Sequence, residues 1–171
     1  AFGIAGAWLC FWGAAMDLSA IHAAEESGSA LALIHTEGEL TYAELSKYVA
    51  SVCAALRQRG LDSQTRVALC ASNRWQTMVT LLALIEQGIP FVAMHPRWTA
   101  KEIDFVLADA TPRVLLDDSL VDALLLSEAA SVDVEVNLSD EAPLAILYSS
   151  GTTGTPKGVV LSRRAFWASA Q

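Results

Sequence analysis

Between Tyr148 and Val159 the chain reads Ser149-Ser150-Gly151-Thr152-Thr153-Gly154-Thr155-Pro156-Lys157-Gly158, an unbroken run of hydroxyl, glycine and proline residues with one cation. Glycines let a backbone approach a ligand closely, and hydroxyls donate hydrogen bonds to phosphate oxygens or coordinate a cation. Successive backbone N–H groups make an anion-binding concavity, to which a lysine adds a point charge. The chemistry that suits this set is the holding of a polyphosphate. A turn chosen only for its geometry does not need so long a run of these types.

Two commoner phosphate loops are excluded by spacing. A P-loop needs G-x-x-x-x-G-K-[ST]. Counting from Gly151, Pro156 occupies the place of the second glycine, and Gly158 follows Lys157 where a hydroxyl is required. The chain also lacks a G-x-G-x-x-G fingerprint, so a Rossmann dinucleotide site has no support.

The elements around this run must position it. Leu144–Tyr148 reads as a buried strand leading in, and Val159–Leu161 as a second apolar run leading out. Upstream, β-rich runs alternate with amphipathic stretches. Leu31–His35 reads as a strand, Glu37-Gly38 as a turn, and Thr41 with Glu44 as a capping box opening a helix that stops at Gly60. Arg66–Ala71 is a second strand, and Asn73 is read as the cap of a helix running through Gln87 to Gly88. Phe91–Met94 is a third strand; Thr99 and Glu102 repeat the capping box. Val114–Leu116 is a fourth strand, followed by a short helix near Ser119–Leu126. Val132–Asn137 suits a half-exposed strand or a linker, and Ser139–Pro143 a loop. This alternation predicts an α/β fold with βα units and a largely parallel sheet.

Tyr148 to Ser162, YSSGTTGTPKGVVLS, resembles the phosphate-loop signature of the adenylate-forming superfamily of acyl-CoA synthetases, peptide-synthetase adenylation domains and luciferase-like enzymes. The likeness extends upstream to about Ile21. Thr41-Tyr42-Ala43-Glu44-Leu45 resembles the family's T-Y-x-E-L, Asn73-Arg74 with the apolar helix to Gly88 its next block, and Pro96–Thr99 with Glu102, Ile103 and Leu107 the one after. The resemblance implies that Ser149, Ser150, Gly151, Thr152, Thr153, Gly154, Thr155 and Gly158 wrap the ATP phosphates, and that Thr152 or Thr153 helps hold Mg²⁺. It implies that Lys157 is the catalytic cation, neutralising charge as pyrophosphate departs. The implied partners are a small carboxylic acid, ATP and CoA, with acyl-AMP as intermediate. Leu161-Ser162-Arg163-Arg164-Ala165 and the short amino terminus look similar to o-succinylbenzoate–CoA ligases of menaquinone synthesis. An adenylation domain of a peptide synthetase and a non-catalytic nucleotide-binding module are the alternatives. Where the family often has Thr-His or Ser-His after the loop, this chain has Ser162-Arg163-Arg164.

The family's later elements (a Y-G-x-T-E-type motif, a ribose-binding Asp, a hinge and a carboxy-terminal catalytic Lys) have no counterpart up to Gln171. Residues 16–171 are therefore read as an incomplete amino-terminal AMP-binding domain, inert by itself, and residues 1–15 as upstream sequence before Met16. Ala1–Ala15 is apolar but too short to span a membrane and has no basic n-region. With 53% hydrophobic and 18% charged residues the 171-residue chain falls in the globular range. A formal net charge of -8 argues against nucleic acid as partner. Cys10, Cys53 and Cys70 are widely spaced and are read as small hydrophobes of a reducing, cytoplasmic protein. His22, His35 and His95 are scattered and read as surface or satisfied side chains. Trp75 and Trp98 are read as core, and Asp117-Asp118 as a strand-to-helix turn.

Overall fold

The computed structural model describes residues 18–127, 138–149 and 156–169. The readings of Ala1–Ala15, Met16, Cys10, Val132–Asn137 and Ser150–Thr155 fall outside these residues.

The chain enters through α1 (Ala20–Ser27), capped by Ser19, whose hydroxyl accepts from the His22 amide at 3.0 Å. β1 (Leu31–His35) and β2 (Gly38–Thr41) then form an antiparallel hairpin. The sequence pattern predicts β1 but not β2. Gly-Glu-Leu-Thr has no alternation of apolar residues to mark it, and only its pairing with β1 makes it a strand.

Both capping boxes form. Thr41 accepts from the Glu44 amide and Glu44 accepts from the Thr41 amide, starting α2 (Tyr42–Gln58). Thr99 and Glu102 do the same for α4 (Ala100–Ala110). In each case a side-chain oxygen satisfies an otherwise unpaired helix amide. The helix between them, α3 (Trp75–Glu86), differs from expectation. Its cap residue is Arg74, not Asn73, and no side chain accepts from its first turn. Arg74 instead reaches Asp118 and Asp122 at 3.2 and 3.0 Å. Gly88 ends this segment at φ 62, and a Cβ there would lie 2.2 Å from Leu138 Cδ1.

β3 (Val67–Leu69), β4 (Phe91–Ala93), β5 (Val114–Leu116), β6 (Pro143–Ser149) and β7 (Lys157–Ser162) form one sheet in the order β5-β3-β4-β6-β7. The first four run parallel, and β7 pairs antiparallel with β6 at one edge. Side chains alternate across a strand, and the two faces separate accordingly. Val67, Leu69, Phe91 and Ala145 join one core with α2, α3 and α5 (Asp118–Leu125). Ala68, Val92 and Ile146 join a second core with Val106 and Ala110 of α4. Short strands buried on both faces read as continuous apolar runs, which is what makes them legible in the sequence.

α6 (Arg163–Ser169) leaves β7 and returns to the first core through Phe166 and Trp167. The Phe166 ring meets Phe91 edge-on at 6.3 Å. Arg163 donates to the Ile85 carbonyl at 2.9 Å, occupying an acceptor in the last turn of α3. Arg164 pairs with Glu141 at 3.2 Å. The two arginines after the bend thus fasten α6 to its surroundings.

Cys53 and Cys70 are free thiols. Burial pushes the Cys53 thiol up to about 12, and burial also raises Cys70, ahead of the Asp118 and Asp117 charges. Asp117 accepts from the Leu120 amide at 2.9 Å and so caps α5, as the strand-to-helix turn requires. Among the described residues no helix is long and apolar enough to cross a membrane.

Candidate functional site

The glycine- and hydroxyl-rich run joins the carboxyl end of β6 to the start of β7. Its base is described on both sides, with Ser149 paired to Lys157 and Tyr148 to Gly158. Leu147 is in register with Ala93, and Ala93 with Leu69. The run therefore departs at the carboxyl edge of the parallel strands, where open α/β sheets bind their ligands. The two-strand base holds the ends of the connection, Ser149 and Lys157, side by side.

Lys157 is exposed at the first position of β7, and Ser149 is exposed opposite it. Among the described residues no carboxylate pairs with Lys157. Its charge is available to an anion at this edge. The placements of Ser150, Gly151, Thr152, Thr153, Gly154 and Thr155 lie outside the described residues. Among the described residues no group of three or more His, Cys, Asp or Glu side chains could hold a metal ion.

Gly158 has a job that spacing alone does not reveal. It lies within β7, directly across from Tyr148. A Cβ built on it would be 3.0 Å from Tyr148 Cζ and 3.2 Å from the hydroxyl. The missing side chain is the seat of the ring. The Tyr148 hydroxyl donates to Asp109 Oδ2 of α4 at 2.5 Å. A hydrogen bond to a carboxylate is charge-assisted and stronger than a neutral one. The ring also packs at the margin of the second core.

Burial, then the hydrogen bond to Asp109 and its negative charge, push the Tyr148 phenol up to about 12, against an opposing effect of Arg66. The usual phenol titrates near ~10. A raised value means that the folded state favours the protonated ring. The stability it contributes is complete below about pH 10 and is lost as pH rises from there through about 12. Urea denaturation at about pH 9 and about pH 11.5 checks this. Tyr148→Phe should reduce the alkaline loss seen in the unaltered protein, and an identical loss in both proteins rules the contribution out.

The other residues singled out from sequence take structural positions. Trp75 donates through Nε1 to Glu37 at 3.2 Å and packs between His35 and Tyr48, with ring centroids at 5.5 and 5.2 Å. Trp98 lies against the second core, and His95 Nδ1 accepts from the Arg97 amide at 3.0 Å. Ser72 donates twice to Asp118, whose carboxyl is held below its ordinary range by those bonds first and by Arg74 after them.

The model of the AMP-binding enzyme family matches residues 21–171. The chain is 33% identical over 158 residues to a linear gramicidin synthase protein of Brevibacillus parabrevis, covering 83% of this chain and 2% of that protein. It is 32% identical over 146 residues to the 2-succinylbenzoate–CoA ligase of Bacillus cereus, covering 78% of this chain and 30% of the ligase. Its fold superposes with a TM-score of 0.80 on the o-succinylbenzoate CoA synthetase of Bacillus subtilis in complex with the acyl-adenylate intermediate OSB-AMP. That match is 25% identical and covers 88% of this chain and 43% of the synthetase. The chain thus spans a minor part of each relative. A parallel-rich sheet whose carboxyl edge leads into the glycine-rich run, matched by a family model over most of the chain, places this protein in the AMP-binding enzyme family, with the architecture of the amino-terminal subdomain of the adenylate-forming fold.

Proposed function

We propose that the protein containing this chain activates a carboxylic acid with ATP and passes the acyl group to the thiol of CoA. A carboxylate oxygen attacks the α-phosphorus, the bond to the β-phosphate breaks, and acyl-AMP and pyrophosphate form. The thiol sulfur then attacks the acyl carbon, and AMP leaves. Residues 16–171 supply the polyphosphate grip. Ser149, Ser150, Gly151, Thr152, Thr153, Gly154, Thr155 and Gly158 shape the bend, Thr152 or Thr153 contributes a hydroxyl to Mg²⁺, and Lys157 meets the charge that develops on departing pyrophosphate. Positioning and charge neutralisation are what such a step asks of a protein.

The observation that carries this reading is the exposed Lys157 at the start of β7, paired with Ser149 at the other end of the glycine- and hydroxyl-rich run. The substrate assigned is o-succinylbenzoate, or an aromatic acid of the same type. It is supported by likeness to the two succinylbenzoate enzymes and by the Leu161–Ala165 segment. A second reading has its own support. Likeness to a gramicidin synthase favours an amino acid as substrate and a carrier-domain thiol as acceptor.

ATP–pyrophosphate exchange by the full-length protein across aromatic acids, fatty acids and amino acids separates the two. Exchange with o-succinylbenzoate followed by CoA-dependent thioester formation is the expected result. Exchange with an amino acid and no use of CoA moves the assignment to the peptide-synthetase reading, and absence of exchange with every acid overturns both.

A further inference from the structure

A polyphosphate grip is effective only if the strands beneath it hold still. β7, the strand that carries Lys157, is the edge of the sheet, with its outer side unpaired among the described residues. Val159 and Val160 of β7 are exposed, so the packing of that strand falls on Leu161, against the first core, and on Gly158, under the Tyr148 ring. Besides the pairing of β6 with β4, one chain of side-chain contacts ties the base of this connection to α4: Asp109, the Tyr148 hydroxyl, the Tyr148 ring, and the bare Cα of Gly158.

Each link has a visible physical cause. Val106 and Ala110 are buried against the sheet, which brings the Asp109 carboxylate, next to Ala110 in the chain, to the margin of that same face. The carboxylate accepts from the phenol at 2.5 Å. That bond and the packing of the ring at the margin of the second core fix its direction, and the ring lies across Gly158, whose neighbour is Lys157. A shift of α4 relative to β6 is in this way transmitted to the position of the cation.

We propose that Asp109 is a positioning residue for ATP binding: by holding the Tyr148 ring over Gly158, it sets the position of Lys157 at the mouth of the bend. This inference rests on the nucleotide-gripping role assigned above. Asp109 does not touch the nucleotide, and its effect passes entirely through Tyr148. No local sequence signal marks it, because the two residues lie 39 positions apart.

The test uses the full-length protein and four variants: Tyr148→Phe, Asp109→Ala, the double variant, and Asp109→Asn. Each single removal should raise the KM for ATP about five- to tenfold, the scale of one hydrogen bond to a charged acceptor, while the KM for the acid moves less than about twofold. The double variant should match the single variants, because all three remove one bond. Asp109→Asn, which keeps an acceptor oxygen, should recover part of the loss. Backbone amide exchange is read on the same proteins and should quicken across residues 157–160 in Tyr148→Phe and Asp109→Ala, with α2 unchanged.

Additive effects in the double variant, an ATP KM within about twofold of the unaltered protein, or unchanged amide exchange at 157–160 would each overturn the proposal. If the unaltered protein shows no pyrophosphate exchange, the nucleotide reading itself has failed. The amide-exchange arm then decides the clamp alone: faster exchange at 157–160 sustains it as the device that orders this strand, and unchanged exchange removes it.

Discussion

Replacing Lys157 with alanine should lower ATP–pyrophosphate exchange by the full-length protein about a hundredfold or more, the scale seen when a preorganised group loses its hold on developing charge. The fold should hardly notice. Lys157 is exposed, and among the described residues no carboxylate depends on it. The thermal midpoint is expected to move by no more than about 2 °C. Lys157→Arg keeps the charge but replaces a compact ammonium with a planar fork, so it should recover only part of the rate. Exchange assayed with saturating acid and varied ATP gives both parameters. A Lys157→Ala protein that exchanges at the original rate removes this residue from the mechanism, and one that unfolds shows that its role is structural.

The largest stability effect should come from a residue remote from the chemistry. Phe91 in β4 is 3% exposed and meets the Phe166 ring of α6 across the first core. Phe91→Ala deletes a ring from the middle of the sheet and leaves a cavity, and it should cost about 3–5 kcal/mol in urea denaturation. Domains of ordinary stability have only about 5–15 kcal/mol in total, so this is a large fraction. The damage should also be directional. With the Phe91 ring gone, α6 keeps its Arg163 bond to Ile85 but loses its aromatic contact, and α6 follows directly on β7. Near-ultraviolet circular dichroism and a urea titration of Phe91→Ala and Phe91→Leu should show the leucine variant recovering more than half of the loss. Equal costs for both variants contradict a cavity origin.

How much of the fold is readable from the chain depends on the range of the interactions involved. Signals carried by neighbouring residues are legible. The two T-x-x-E capping boxes form as their spacing predicts, and Gly60 and Gly88 stand at φ 67 and 62 where their helices stop. Short apolar runs become central strands because continuous burial leaves no polar alternation. Features that depend on register are not legible. β2 exists only by pairing with β1, and the antiparallel course of β7 at the end of a parallel sheet has no mark in Val159–Leu161 itself. Asn73 has the side chain of a helix cap, yet the helix begins after Arg74, which instead reaches two carboxylates of α5.

The candidate site divides along the same line. The residue types of Ser149–Gly158 are legible as a candidate phosphate-binding run, and the structure adds that Lys157 is exposed at the start of β7. By type alone Gly158 belongs with the ligand-approach glycines, whereas its contacts show that it makes room for Tyr148. Asp109 is invisible in the sequence, since an acidic residue near the end of an amphipathic helix looks like ordinary solvated surface until the ring it holds is in place. Arg163 and Arg164, distinctive in the sequence only for standing where a histidine is usual, secure α6.

Amide NMR of the full-length protein, labelled on glycine, serine and threonine and titrated with ATP and magnesium, tests most directly whether the bend grips polyphosphate. The predicted result is a saturable shift concentrated in Ser149–Gly158, weakened in Lys157→Ala. Saturable ATP binding that leaves those resonances unmoved, or no binding at all, contradicts it.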